Sequence, residues 1–232
     1  MHIPQPRRPK YLPDYSEMCL QALVERGLAE KISLGGALGL LHYLDYRVTH
    51  DVDAWWTETA TPADQRQVVH VLEEVLGSVG EVKTRIWGDV ASVELRRAGK
   101  TVFSFQIARR AAQLEPSQLA PWIQVPLDSL ADLVASKMAA LVERGAPRDF
   151  RDIYQLCQAR LVTPRECWTL WQRCQQAAGN SADLARARLA VETHLARIVQ
   201  HRRLEQIGDA SQRLEAERVR TWFNGELLNA AE

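Results

Sequence analysis

Gly35-Gly36-Ala37-Leu38, followed by Arg47-Val48-Thr49-His50-Asp51-Val52-Asp53, is the passage on which the reading of this chain turns. On a strand, residues two apart project from the same face, so Asp51 and Asp53 present two carboxylates side by side. Two anions held that close repel, and a divalent cation resolves the conflict. Oxygen ligands with room for water and substrate phosphate suit magnesium. Two such ions would activate an attacking hydroxyl and steady a pyrophosphate leaving group. The glycine pair lets backbone amides approach a triphosphate at a helix N-terminus, where the dipole is also favourable. Each piece alone is common, because Asp-x-Asp occurs at solvated strand ends and Gly-Gly is usually a turn. Their order, a glycine turn, a helix and then a strand with paired acids, is more specific than either.

Working outward, residues 15–30 read as an amphipathic helix with Met18, Leu20, Leu23 and Val24 at helical spacing and Gly27 near its end. Ile32-Ser33-Leu34 is a short apolar segment before the glycines, residues 37–44 a helix, and residues 50–56 a strand. Thr61-Pro62 is a helix start, a cap residue with proline at the first helical position. Val68, Val69, Val71, Leu72, Val75 and Leu76 face a core, and Gly77 and Gly80 close that helix. Strands follow over 81–87, 90–96 and 101–107, the last two joined around Ala98-Gly99-Lys100 as a hairpin. A proline-containing link (Pro116, Pro121, Pro126) leads to helices expected over 127–144, 148–159, 164–177, 182–206 and 210–228. The expectation is an α+β protein, a small mixed sheet with helices on one face followed by a helical unit. The domains are placed at 1–125 and 126–232, the second completing the nucleotide cleft.

A second group comprises Asp132-Leu133-Val134-Ala135-Ser136-Lys137, then Arg144 and Arg148-Asp149-Phe150-Arg151-Asp152. Lys137 lies at the edge of an apolar helical face, where a lysine either snorkels outward or reaches into a cleft toward an anion. Asp149 and Asp152 are three apart and therefore neighbours on one helix. They either orient that helix and pair with Arg148 and Lys137, or take part in a site.

With both groups in view, the run Gly-Gly…Leu…Arg-x-Thr-x-Asp-x-Asp, with a later Lys and an Arg-Asp-x-x-Asp, resembles the nucleotidyltransferase family named for the AbiEii and AbiGii abortive-infection toxins. That family sits within the polymerase-β-like nucleotidyltransferases. The matching segments are 33–56 and 130–156. The resemblance implies that Gly35 and Gly36 hold a nucleoside triphosphate and that Asp51 and Asp53 bind magnesium. It places Lys137 on the phosphates, with Asp152 and Asp149 completing the pocket. Arg47 and Thr49 match positions beside the acidic pair and join the nucleotide-binding set. The family's members are toxins of toxin–antitoxin systems that limit phage spread, some transferring nucleotides to the 3′ end of transfer RNA. The resemblance therefore implies a transfer RNA acceptor and an antitoxin from a neighbouring gene.

One departure bears on turnover. Polymerase-β-like enzymes place a third carboxylate on a later strand, and here Gln106 stands where that acid is expected. A neutral amide cannot act as a general base. Glu94 is the nearest substitute, as a metal ligand or simply as the cross-strand partner of a basic residue. The alternative to an enzyme is therefore a nucleotide-binding or protein-interaction module on the same fold with weakened turnover.

Composition narrows the remaining classes. The 232 residues are 46% hydrophobic and 25% charged with a formal net charge of zero, so bulk charge makes no case for nucleic-acid binding. The C-terminal arginines (Arg186, Arg188, Arg197, Arg202, Arg203) form either ion-paired helix faces or a local phosphate-binding patch. Cys19, Cys157, Cys167 and Cys174 show no Cys-x-x-Cys spacing and no disulfide framework. The arm around Pro6, Arg7, Arg8 and Pro9 lacks the apolar run of a signal peptide, and no stretch approaches the about 18–20 apolar residues that cross a bilayer. A reducing cytoplasm, without membrane contact, is expected. His42, His50 and His70 make no metal spacing, and His194 and His201 lie seven apart on a helix. Of Trp55 and Trp56, alternation puts one in the core and leaves the other open to stack on a base.

Overall fold

In the computed structural model, which describes residues 5–231, β1 (Ile32–Leu34) and β2 (Asp51–Trp56) pair antiparallel, Leu34 opposite Ala54. Along β2 the alternation is complete: Val52, Ala54 and Trp56 are buried, while Asp51, Asp53 and Trp55 are only partly so. Period-two burial marks a strand with one face against a core. β3 (Glu81–Trp87), β4 (Val90–Arg97) and β5 (Lys100–Ala108) form an antiparallel meander, and β5 runs parallel to β2. Two-residue strands β6 (Gln118–Leu119) and β7 (Pro126–Leu127) complete the sheet, whose order is β3-β4-β5-β2-β1-β7-β6. The fold is α+β with a mixed sheet, as the sequence predicts.

The apolar face of the sheet, with Val52, Ala54, Val93, Leu95, Phe103, Phe105 and Ile107, is buried. α1 (Ser16–Glu25) and α3 (Pro62–Gly77) bring Leu20, Leu23, Val68 and Leu72 to the same core. α3 starts at Thr61 through a capping box in which Asp64 N–H donates to Thr61 Oγ1 and Thr61 N–H to Asp64 Oδ2. α1 differs slightly from expectation. It ends at Glu25, and its buried side is Ser16, Cys19, Leu20 and Leu23, leaving Val24 36% exposed. Gly27, at φ +67°, follows that end, and Leu28 N–H closes back on the Leu23 carbonyl. α2 (Gly36–Leu41) is the short helix after the glycine turn.

The link before the C-terminal helices carries more order than the sequence suggests. A helix was expected from Leu127, but Leu127 lies in β7 opposite Leu34, and Asp128 N–H donates to the Leu34 carbonyl. α4 (Leu130–Glu143) begins only after Ser129, whose Oγ accepts from Asp132 N–H. Sheet pairing over a long chain separation overrides the local helical pattern there.

The chain divides into two compact units, Met1–Leu133 and Val134–Glu232. The second is helical: the remainder of α4, then α5 (Pro147–Gln158), α6 (Pro164–Ala177), α7 (Leu184–His201) and α8 (Ala210–Trp222). α7 stops short of the expected 206, and Leu204–Gln206 forms a separate 3-10 turn. A π-helical turn, Phe223–Leu227, follows α8. Phe150 packs on Phe223 at 4.6 Å between ring centroids, and the Trp168 indole N–H donates to the Leu227 carbonyl at 2.9 Å. Trp168 and Trp171, three residues apart on α6, are both buried. None of the described helices is long and apolar enough to cross a membrane.

Candidate active site

The glycine turn lies directly against the acidic strand. Gly35 N–H donates to the Asp53 carbonyl at 2.9 Å, continuing the β1–β2 ladder into the turn. A Cβ on Gly36 would collide with the Asp53 side chain, and Gly36 sits at φ +54°, in the left-handed region. A Cβ on Gly35 would collide with the Trp55 indole. Glycine is thus required twice by close approach: these two backbones and the acidic face of β2 occupy the same small space.

The β2–β5 register sets the neighbours of the acids. Asp51 is opposite Ser104 and Asp53 opposite Gln106. Ser104 is buried and donates its hydroxyl to Asp51 Oδ1 at 3.1 Å. Gln106, the residue the sequence reading sets in place of a third acid, is thus the cross-strand neighbour of Asp53. Glu94 lies one strand further, opposite Ser104, so it is two strand spacings, about 10 Å, from β2. Its carboxylate accepts from the Thr101 hydroxyl at 3.0 Å and faces Arg85 at 3.5 Å. Among the described residues no group of three or more His, Cys, Asp and Glu could hold a metal ion by itself. Two half-buried carboxylates with neutral oxygens beside them still fit magnesium, which keeps waters and takes one or two carboxylates plus phosphate oxygens. The donor set is compatible with that ion only when a substrate supplies part of the shell.

Beyond Asp53 on the same strand, Trp55 stays partly exposed, while Trp56 is core and donates its indole N–H to the Asp89 carbonyl. The Arg110 guanidinium lies 6.0 Å from the Trp55 ring centroid and pairs with Asp128 at 2.7 Å. Ser33 donates to the same Asp128 oxygen at 2.6 Å. Burial pushes the Asp128 carboxyl up, and Arg110 and Ser33 pull it back. Sequence reasoning passed over Ser104, Arg110 and Asp128. Their roles depend on strand register, and no local pattern carries it. Upstream of β2, Thr49 is buried, His50 is exposed, and the Arg47 guanidinium lies 5.8 Å from the Tyr46 ring.

In the second unit, Lys137, Arg144, Asp149 and Asp152 come together. Lys137 is 7% exposed, and both aspartates have no exposed surface. Lys137 Nζ lies 2.8 Å from Asp152 Oδ2 and 4.0 Å from Asp149 Oδ1. Arg144 grips Asp149 with two donors, Nε at 2.9 Å and Nη2 at 3.0 Å. Lysine therefore turns inward rather than snorkelling. Removing one partner of such a buried pair typically costs about 3–5 kcal/mol, so the pairing alone gives these residues a structural role.

Comparison with known proteins adds the family. The model of the family described as "Nucleotidyl transferase AbiEii toxin, Type IV TA system" matches residues 19–224. No curated protein matches the chain. Among solved structures, the crystal structure of an antigenic nucleotidyltransferase-like protein from Paracoccidioides brasiliensis is similar at 16% identity and a TM-score of 0.40. That match covers 88% of this chain and 94% of the other.

Proposed function

Because the chain belongs to the AbiEii family of nucleotidyltransferase toxins of type IV toxin–antitoxin systems, we propose that it transfers a nucleoside monophosphate from a triphosphate to an RNA acceptor, the 3′ end of transfer RNA being the favoured one. The observation that carries this reading is the contact between the glycine turn and the Asp53 side chain, which only glycine at position 36 permits. That proximity brings an unhindered backbone and two carboxylates to one place, as a triphosphate with its metal requires.

In this reading Asp51 and Asp53 supply carboxylate oxygens to magnesium, with Glu94 a distant further candidate. Magnesium, when bound, neutralises phosphate charge and favours ionisation of the acceptor hydroxyl. The Ser104 hydroxyl holds one oxygen of Asp51 and so orients its carboxylate. Gly35 and Gly36 admit the phosphates, with Arg47 and Thr49 flanking them. Lys137, oriented by Asp152, meets phosphate charge, and Asp149 with Arg144 fixes the helix that carries Asp152. The chain contributes mainly positioning and electrostatics, which is where most of the rate of phosphoryl chemistry arises. The reading assigns 1–125 to the nucleotidyltransferase core and 126–232 to the helical domain. Family membership implies an antitoxin partner.

A second reading has a specific observation behind it. With Gln106 beside Asp53 and no cluster of three acids among the described residues, the chain would bind a nucleotide or a protein without turnover. One experiment separates the two. Purified protein is incubated with labelled triphosphates, magnesium and total RNA, alongside Asp53→Ala and Gly36→Ala. The enzyme reading expects label on RNA from the parent and a loss of about a hundredfold or more in both variants. Label on protein instead of RNA overturns the acceptor assignment. Silence from all three with retained triphosphate binding overturns the enzyme and leaves the binding module.

A further inference from the structure

None of the four cysteines is in a disulfide, and the proposed transfer uses none of them. Two of them meet. Cys157 in α5 and Cys167 in α6 have their Sγ atoms 3.8 Å apart, both inside the second unit. The backbone on either side holds this contact in place. α5 ends with Arg160 N–H on the Cys157 carbonyl and Leu161 N–H on the Leu156 carbonyl. α6 starts at a capping box in which Glu166 N–H donates to Thr163 Oγ1 and Thr163 N–H to Glu166 Oε2. The connection between the helices is thus pinned at both ends, and the two thiols face each other across it.

We propose that Cys157 and Cys167 form an oxidation site that closes to an intramolecular disulfide when the protein meets a peroxide. The sulfurs stand 3.8 Å apart and a disulfide bond is about 2.05 Å long, so they must approach by about 1.8 Å to bond. Cys157 is partly exposed and Cys167 buried, which divides the roles. The Cys157 sulfur attacks one peroxide oxygen, the O–O bond breaks, and its thiol proton leaves in water, giving the sulfenic acid. The Cys167 sulfur then attacks the Cys157 sulfur. The S–O bond breaks, and hydroxide leaves as water with the Cys167 proton. Two thiols and one hydrogen peroxide become one disulfide and two waters. The hydrogen bond to Cys157, together with burial, pushes the Cys167 thiol well above its ordinary range, so Cys167 does not meet peroxide first; its sulfur lying 3.8 Å from that of Cys157 is what lets it react second.

The other two cysteines serve as internal controls. Cys19 has no exposed surface, and burial pushes its thiol up to about 12, so it stays inert. Cys174 is partly exposed on α6. The test uses the full chain, reduced, treated with hydrogen peroxide, alkylated in denaturant and digested with trypsin without reductant. The peptide 152–160 is expected joined to 166–173, lighter than their sum by two hydrogens. Free thiols should fall from four to two and recover with dithiothreitol. Cys174→Ser should keep the joined pair, and Cys157→Ser should abolish it. Separate alkylation of Cys157 and Cys167, bridges through Cys19 or Cys174, or chains linked to each other would overturn the proposal. This readout does not depend on transfer activity, so it stands apart from the function proposed above.

Discussion

His42 has no exposed surface, and both of its ring nitrogens are engaged. Nδ1–H donates to the Leu38 carbonyl at 2.8 Å, while Nε2 accepts from the Trp122 indole N–H at 3.0 Å. An indole nitrogen only donates, so Nε2 must carry a lone pair and the ring must be neutral. Burial holds the His42 pKa below 6.5, against the opposing pull of the Leu38 and Gly39 carbonyls and of Asp45. The sign follows from proton counting. Between the depressed folded value and 6.5 the unfolded chain binds more protons, so this contribution is complete above 6.5 and is lost as pH falls. Urea midpoints measured from about pH 7.5 to about pH 5.5 should therefore decline, at most by about 1.4 kcal/mol per pH unit for one proton. Trp122→Phe, which removes the donor from Nε2, should blunt that decline; an unchanged slope would show that His42 does not govern it. At the same scale, Lys137 was readable only as an alternative between an outward and an inward side chain. Asp152 at 2.8 Å decides for inward, and that aspartate lies on a different helix.

Among the elements, the β4–β5 hairpin has the clearest local misfit. Its two loop residues, Ala98 and Gly99, have φ of +49° and +74°. A two-residue loop with both φ values positive matches the strand twist, and it prefers Asn-Gly because asparagine tolerates the left-handed region better than alanine. Ala98 is exposed, so a larger polar side chain meets no packing there. Ala98→Asn is expected to raise stability by about 0.5–1 kcal/mol, read as a higher urea midpoint at unchanged slope. A lower midpoint would mean the turn is not limited by its backbone angles. The hairpin itself was legible from Ala98-Gly99-Lys100 between apolar runs. β6 and β7 were not, because two residues carry no periodicity. Leu127 is held in β7 by Leu34, which is far away in the sequence.

Across the whole molecule the charges cancel to a formal zero, so an RNA acceptor would be gripped by local patches and not by a basic surface. Arg202 and Arg203, at the end of α7, are both exposed. If they contact acceptor phosphates, each substitution by alanine should reduce the slope of log K against log salt by about 0.7–0.9, measured by filter binding at several salt concentrations. Slopes equal to the parent's would remove them from the interface. The α+β class, the glycine turn, the same-face pair Asp51 and Asp53, and the division of Trp55 and Trp56 between opposite faces were all determined by the sequence alone. Each follows from a period of two or 3.6 residues or from a backbone angle, and such constraints act within a few residues. The tertiary structure alone decided that Ser104 is the residue bonded to Asp51, that Asp128 joins Ser33 to Arg110, and that Cys157 meets Cys167. Parallel strand register and helix packing bring together residues distant in the chain. Burial energy selects those pairings from the whole fold, and a reading of neighbours cannot weigh them.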